Sequence, residues 1–124
     1  ARNQELTTTV NSYEEFKKME IRVGTVKSVE EIEGADKLLK FMIDFGDKNE
    51  EGESVYRQIV SGLKEYYPNF LELVGKQLLY IVNLEPRAIK GVESNGMLLA
   101  VDGKDGSPVF LVPETEVDPG SKVR

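Results

Sequence analysis

The sequence predicts an all-β domain with short helices: a small barrel of five strands, with extra strands at its C-terminal end. The clearest strand carries apolar side chains at every second position, at Leu39, Phe41, Ile43 and Phe45, which is the alternation of a strand with one buried face. The strand before it changes phase at Gly24, as expected for a bulge or a sharp bend. A segment with helical spacing follows the third predicted strand. Together these features favour a closed barrel over a sandwich.

The N-terminal part predicts an arm and a short helix. Ser12 is a suitable N-cap, and Glu15 follows at the capping-box spacing. Phe16 and Met19 share one face, so we expect a helix of about two turns. Residues 1–12 are polar and rich in Thr and Asn. We therefore expect a flexible arm over residues 1–12 and one domain over residues 13–124.

Turns separate the remaining predicted strands. Residues 46–54 form an acidic stretch that resembles the start of an EF-hand loop, but Gln58 stands where that loop needs a bidentate glutamate. A solvated hairpin tip is therefore favoured over a calcium site. Further strands are predicted over residues 55–61, 77–82, 97–101 and 109–112, with a helix interrupted at Pro68 over residues 63–74. Five strands with a helical insertion between the third and fourth are the layout of an OB-fold barrel.

Composition excludes several kinds of function. The 124-residue chain contains neither histidine nor cysteine, so it has no disulfide, no zinc site built on imidazole or thiolate, and no Ser-His or Cys-His nucleophile. Its 22 acidic residues lie mostly in polar stretches, whereas catalytic carboxylates need burial to separate their pKa values. We expect no enzyme activity, no metal and no cofactor. No apolar run approaches the roughly 20 residues that span a membrane, and residues 1–12 lack a signal-peptide core, so we expect a cytoplasmic protein.

The net charge of −6 disfavours general nucleic-acid binding, but the charge is uneven. Residues 30–53 carry nine acids and three bases, whereas residues 54–92 carry five bases and three acids. The connector over residues 83–96 begins in that basic region and is about twice as long as a tight hairpin needs. It contains Arg87 and Lys90 and re-enters an apolar run at Met97. Taken alone, this segment is more readily explained as a long turn than as a binding loop.

Four motifs, in this order and spacing, resemble the tRNA-binding OB-domain family: MEIRVGTVKSVEEIEGADKLLKFMIDFG, RQIVSGL, VGKQLLYIVNLEPRAIKGVESNGMLLA and PGSKVR. The resemblance runs from Phe16 to Arg124. The family includes the C-terminal domain or free-standing beta subunit of methionyl-tRNA synthetases, free-standing tRNA-binding proteins and a small secretion-related chaperone. It implies that the connector lies at the barrel mouth and contacts tRNA, which reverses the interpretation of that segment as a mere turn.

The resemblance implies a set of residues that contact tRNA by shape and charge. Basic side chains would meet phosphates, small polar side chains would meet sugars or base edges, and a methionine would offer an apolar surface to an unstacked base. The set comprises Lys37, Arg57, Ser61, Asn83, Arg87, Lys90, Ser94, Asn95 and Met97. The chain departs from the family pattern at Glu85 and Glu93, and each added carboxylate repels phosphate locally.

Other roles remain open for four of these residues. Arg57 shares a strand face with Ile59, and there it could meet a phosphate or form a structural ion pair. Ser61 could belong to a strand-to-helix turn, and Asn83 could bond backbone or ligand equally well. Lys37 could be an ordinary solvated lysine.

The resemblance also implies partners. These are tRNA, a methionyl-tRNA synthetase catalytic subunit, and a second copy of the chain, with a homodimer contact over roughly residues 110–123 near Tyr80. Two alternatives stay open: a peptide-binding chaperone on the same fold, and a dimerisation subunit that no longer binds tRNA. The first would depend on apolar groove residues such as Met97, and the second would need no intact groove.

Overall fold

A computed structural model describes residues 9–124 of the chain. Its main sheet contains β1 (Ile21–Ile32), β2 (Ala35–Lys48), β3 (Ser54–Ser61), β4 (Gln77–Ile81) and β7 (Met97–Leu98). Two hairpins are formed by β5 (Arg87–Ile89) with β6 (Val92–Ser94), and by β8 (Ala100–Asp102) with β9 (Pro108–Phe110). The main sheet is antiparallel with the order β3-β2-β1-β4-β7. The predicted fold class, a mostly β domain resembling an OB-fold with extra C-terminal strands, is confirmed.

The first strand bends so that it can pair with two neighbours. Its first part, residues 21–25, pairs with β4, and its second part, residues 25–32, pairs with β2. A register shift lies between Val26 and Ser28, a few residues beyond the bend predicted at Gly24. A side chain at Gly24 would collide with Ile43 and with the Phe45 ring, which would lie 2.7 Å away. Glycine therefore allows the bent strand to approach β2.

The core lies inside this curled sheet. Leu39, Phe41 and Ile43 on β2 are fully buried and Phe45 is nearly so, which confirms the predicted alternation. They pack with Ile59 of β3 and with Leu78 and Tyr80 of β4, among others. Burying each large apolar side chain contributes roughly 1.5–3 kcal/mol, so this interior face dominates the stability of the barrel.

Two predicted elements differ from those observed. Residues 63–74 form turns and one 3-10 helix, Phe70–Leu73, where a two-part helix was predicted. Pro68 prevents a continuous helix, and burial of Leu63 and Leu73 in the core holds the segment across the barrel end. The predicted fifth strand is divided into β7 and β8 at Leu99, whose backbone N–H donates to the carbonyl of Leu79 at 3.0 Å.

The C-terminal segment pairs with the edge of β1 that β4 leaves free. The N–H of Val23 donates to the Ser121 carbonyl at 2.9 Å, and the N–H of Val123 donates to the Ile21 carbonyl at 2.8 Å. The N–H of Gly120 also donates to the Val23 carbonyl at 2.7 Å. This segment therefore covers the barrel wall as an irregular extra strand.

The N-terminal helix α1 (Tyr13–Lys18) has the predicted capping box. The Glu15 N–H donates to the Ser12 hydroxyl at 3.1 Å, and the Ser12 N–H donates to the Glu15 carboxylate at 3.0 Å. Of the predicted arm, residues 1–8 lie outside the described residues, and residues 9–12 have no regular secondary structure. Among the described residues, no helix is long and apolar enough to cross a membrane.

Candidate nucleic-acid interface

The long connector after β4 is itself folded into a hairpin. Strands β5 and β6 pair Arg87 with Ser94 and Ile89 with Val92. Lys90 and Gly91 form the tip with φ values of 53° and 80°, and positive φ at both central residues is the requirement of a type I′ turn. The connector is longer than a simple turn because it contains this additional hairpin.

This hairpin is held along the free edge of β3, the edge strand of the main sheet. The Ser94 hydroxyl accepts a hydrogen bond from the Val60 N–H at 2.9 Å. The Asn95 N–H donates to the Gln58 carbonyl at 2.9 Å, and the Gln58 side-chain amide donates to the Glu93 carbonyl at 2.8 Å. These three bonds involve the consecutive residues Glu93, Ser94 and Asn95. They fix β6, which we call the return strand of the hairpin, along β3.

A small groove lies between the hairpin and β3, with a volume of about 80 Å³. We call it the connector groove. Four residues of the predicted site line it: Ser61, Arg87, Ser94 and Met97. Met97 is 43% exposed and the neighbouring Leu84 is 39% exposed, so the rim offers apolar surface beside the Arg87 guanidinium. Ser94 differs from the others, because it is buried and its hydroxyl also donates to the Gly96 carbonyl at 3.1 Å.

Arg57 and Asn83 lie together at the end of the barrel, around a separate cavity of about 470 Å³. The Arg57 guanidinium donates to the Val82 carbonyl at 2.6 Å and lies over the Phe45 ring, 5.4 Å from its centroid. The Asn83 amide accepts from the Glu20 N–H at 2.9 Å and donates to the Lys18 carbonyl at 2.6 Å. Both side chains are thus engaged in contacts that close the barrel end and attach α1.

A second arginine at this barrel end is already paired. Arg22 contacts the Glu20 carboxylate at 2.6 Å, and its guanidinium holds the pKa of that carboxyl below its ordinary value. Arg22 also donates to the Gly120 carbonyl at 2.7 Å. The Arg22 charge is therefore largely neutralised by its own neighbour.

The remaining basic residues of the predicted site project from exposed positions. Lys37 lies near the start of β2, beyond the point where Leu39 pairs with Ser61. Lys90 occupies the exposed tip of the hairpin. Within residues 9–124, neither these lysines nor Arg87 form a salt bridge, whereas Lys40 is paired with Glu30 at 3.6 Å. Of these three cations, Arg87 lines the connector groove together with Glu85, whereas Lys37 and Lys90 are exposed outside its lining.

Asn95 lies in another cleft, with a volume of about 300 Å³, between β3 and the return strand of the hairpin. Tyr56 and Gln58 also line this cleft, and sequence reasoning did not select them. The available signal was their alternation on β3 with Arg57 and Ile59, which places them on the opposite face of the strand. No group of three or more potential metal ligands was found in the described part of the chain.

Comparison with known proteins gives this geometry a context. A family model described as "Putative tRNA binding domain" matches residues 21–122. The methionine–tRNA ligase of Porphyromonas gingivalis is 48% identical over 114 residues, which are 91% of this chain and 15% of that protein. The chain thus spans about 15% of the length of such relatives.

Solved structures show the same fold. A MetRS-related protein from Pyrococcus horikoshii superimposes with a TM-score of 0.80 at 35% identity, covering 94% of this chain and 100% of that one. The chaperone CsaA from Bacillus anthracis superimposes with a TM-score of 0.74 at 28% identity, covering 94% and 100%. The chain therefore belongs to the tRNA-binding domain family and is homologous to a small region of methionine–tRNA ligases.

Proposed function

We propose that this domain is a non-catalytic module that binds tRNA at the connector groove and its rim. The observation that carries the proposal is an apolar groove lined by Arg87 and Met97, with Lys90 at the tip of the same hairpin. Lys37 lies on β2, two residues before the position that pairs with Ser61 of the groove. None of these three cations forms a salt bridge within residues 9–124. The basic side chains would meet phosphates and fix the position of the RNA. Met97 and Leu84 would contact an exposed base or sugar.

The remaining residues of the predicted site would act mainly by positioning this surface. Ser94 holds the hairpin on β3, Asn83 holds α1, and Arg57 closes the barrel end. Ser61 and Asn95 present small polar groups at the groove and at the neighbouring cleft. Recognition would centre on unpaired parts of tRNA, since the major groove of duplex RNA is too narrow for side chains to read.

The proposed partner protein is a methionyl-tRNA synthetase catalytic region, fused or separate, acting in the cytoplasm. Few basic residues and the nearby Glu85 and Glu93 would make the isolated domain a weak binder that gains affinity through linkage. A homodimer would supply a second groove. Its contact would lie on the C-terminal segment and the outer face of β8–β9, where Val101 pairs with Val109 and both side chains are about half exposed.

One experiment tests the tRNA assignment directly. Fluorescence anisotropy with unfractionated tRNA, at about 50 and 200 mM salt, should show binding that weakens with salt. Arg87→Gln should reduce both the affinity and the salt dependence, whereas Lys104→Gln, a change in the loop between β8 and β9, should leave both unchanged. No binding at low salt would contradict the proposal. If the slope of log K against log salt concentration corresponded to more than about six phosphate contacts, the basic surface would extend beyond this groove.

A second candidate is a peptide-binding role, which the similarity to a chaperone structure favours. The exposed Met97 and Leu84 would then contact apolar peptide side chains. Binding of an unfolded reporter peptide with little salt dependence, lost in Met97→Asp and retained in Arg87→Gln, would support this role. If peptide binding were instead retained in Met97→Asp and lost in Arg87→Gln, a peptide-binding role at this apolar surface would be excluded.

A further inference from the structure

We propose that the cleft between β3 and the return strand of the hairpin is a subsite for one unstacked nucleobase, and that Tyr56 is its stacking residue. This inference rests on the proposed tRNA binding, but it concerns a surface outside the connector groove. The ligand would be a base with an exocyclic amino group, such as cytosine.

The first observation is the position of an exposed aromatic ring. Tyr56 pairs with Asp44 across the sheet and lies on the outer face of β3, where 38% of the residue is exposed. The ring therefore lies at the surface and not in the core. Stacking of a base on such a ring is worth roughly 1–3 kcal/mol in single-strand binding and tolerates any base.

The second observation is the positive charge above this ring. The Lys27 ammonium lies 5.7 Å from the Tyr56 ring centroid. Lys27 is exposed at the register shift of β1, and it forms no salt bridge with the described residues. A cation beside a stacking ring can bind the phosphate of the nucleotide whose base lies on that ring.

The third observation is the acidic wall of the cleft. The cleft has a volume of about 300 Å³, and two carboxylates, Glu93 and Asp47, line it. The other lining residues are Val55, Tyr56, Arg57, Gln58 and Asn95. The Arg57 guanidinium is already engaged, because it donates to the Val82 carbonyl at 2.6 Å. The two carboxylates outnumber the single cation of the lining, Arg57, so phosphate is disfavoured inside the cleft. A carboxylate accepts hydrogen bonds from a base amino group, as Glu and Asp do from cytosine N4. The cleft therefore favours binding of the edge of the base inside it, while the phosphate of the same nucleotide lies outside it, next to Lys27.

The cleft is also preorganised. The Gln58 amide donates to the Glu93 carbonyl at 2.8 Å, and the Asn95 N–H donates to the Gln58 carbonyl at 2.9 Å. These bonds hold the hairpin wall at a fixed position relative to the Tyr56 strand. Binding would then cost little ordering of the protein.

The test uses anisotropy with tRNA and with two single-stranded ten-residue RNAs, oligo(C) and oligo(U). Tyr56→Leu should weaken tRNA and oligo(C) binding roughly five- to hundredfold, without changing the salt slope, because no cation is removed. Tyr56→Phe should retain binding, and wild-type protein should prefer oligo(C) over oligo(U). Glu93→Gln should reduce that preference. The urea midpoints of all variants establish that they are folded.

Tyr13→Leu is the matched control, because Tyr13 is also exposed and carries a lysine, Lys17, at 5.5 Å from its ring, but lies on α1. If Tyr56→Leu behaves like Tyr13→Leu while wild-type protein binds tRNA, the subsite is wrong and the proposed function stands. If wild-type protein does not bind tRNA, the proposed function is wrong. In that case, an oligo(C) preference that Tyr56→Leu removes would still support the subsite, and the lack of a preference would overturn it.

Discussion

The hydroxyl of Ser94 and the backbone N–H of Val60 form a buried hydrogen bond of 2.9 Å between the connector and β3. The serine is only 2% exposed. It also donates to the Gly96 carbonyl. The hairpin that carries Arg87 and Lys90 is thus attached to the barrel through a residue that does not face solvent.

We expect Ser94→Ala to destabilise the domain by about 1–3 kcal/mol, because it leaves the buried Val60 N–H without its acceptor. Urea unfolding monitored by circular dichroism measures this loss. Ser54→Ala is the control, since Ser54 is exposed and only receives a 3.5 Å bond from Lys48. Equal midpoints for the two variants would show that Ser94 does not hold the hairpin.

Tyr80 offers a way to increase stability. It is fully buried, its ring meets Phe45 edge-on at 5.3 Å, and its hydroxyl makes no hydrogen bond with the described residues. A buried polar group without a partner costs about 1–3 kcal/mol. We therefore expect Tyr80→Phe to raise the free energy of unfolding by about 1 kcal/mol. A lower urea midpoint for the variant would contradict this expectation.

The same tyrosine predicts a pH dependence. Burial raises the pKa of the Tyr80 hydroxyl above its ordinary value near 10. The unfolded chain therefore loses this proton above about pH 10 while the folded domain retains it, so stability is full below pH 10 and falls as the pH rises. Thermal unfolding between pH 9 and 11 should show a steeper loss for wild-type protein than for Tyr80→Phe. Parallel curves would indicate that another group is responsible.

The close approach of the C-terminal segment to β2 can be tested at a glycine. Gly120 has a φ of 91°, and a side chain there would collide with the Phe45 carbonyl. Gly75 has the same φ, but a side chain there would meet open space. We expect Gly75→Ala to cost about 1–2 kcal/mol through φ alone, and Gly120→Ala to cost about 1–3 kcal/mol more through overpacking. Similar losses in chemical unfolding would show that the C-terminal contact is dispensable.

A substitution at the hairpin tip, Lys90→Asn, can test the role of the lysine charge without straining the backbone. Lys90 has a φ of 53°, which asparagine adopts more readily than lysine. We expect Lys90→Asn to maintain or raise the unfolding midpoint, to weaken tRNA binding severalfold, and to make the salt slope shallower by about 0.7–0.9. Anisotropy titrations at several salt concentrations measure this change. Unchanged affinity and slope would place Lys90 outside the tRNA contact.

Sequence reasoning succeeded where a signal is local. The capping box of Ser12 and Glu15 depends on two residues three apart, and it was predicted and found. The alternation from Leu39 to Phe45 follows from the two faces of a single strand, and all four side chains are buried. The four motifs of the family likewise depend on order and spacing within the chain.

Sequence reasoning was weaker where a contact joins distant segments. The helical spacing of residues 63–74 did not reveal that Leu63 and Leu73 close the barrel end in an irregular form. Arg57 and Asn83 were selected for tRNA, and their hydrogen bonds to Val82 and Lys18 became apparent once the barrel was assembled. The sequence around Tyr56 did not indicate that this residue lines a cleft, because Glu93 and Asn95, which form part of the cleft, are about forty residues away along the chain.

The sequence by itself determined the fold class, the family and the basic character of the connector, because periodicity, turn residues and motif spacing are properties of neighbouring positions. Tertiary structure alone decided which polar side chains are engaged within the protein and which face solvent. Ser94 and Arg87 are paired across one hairpin, yet the first is buried and bonded to β3 while the second is exposed at the groove. The physical reason is that burial depends on what packs against a residue, and the packing partners here come from strands far apart in the chain.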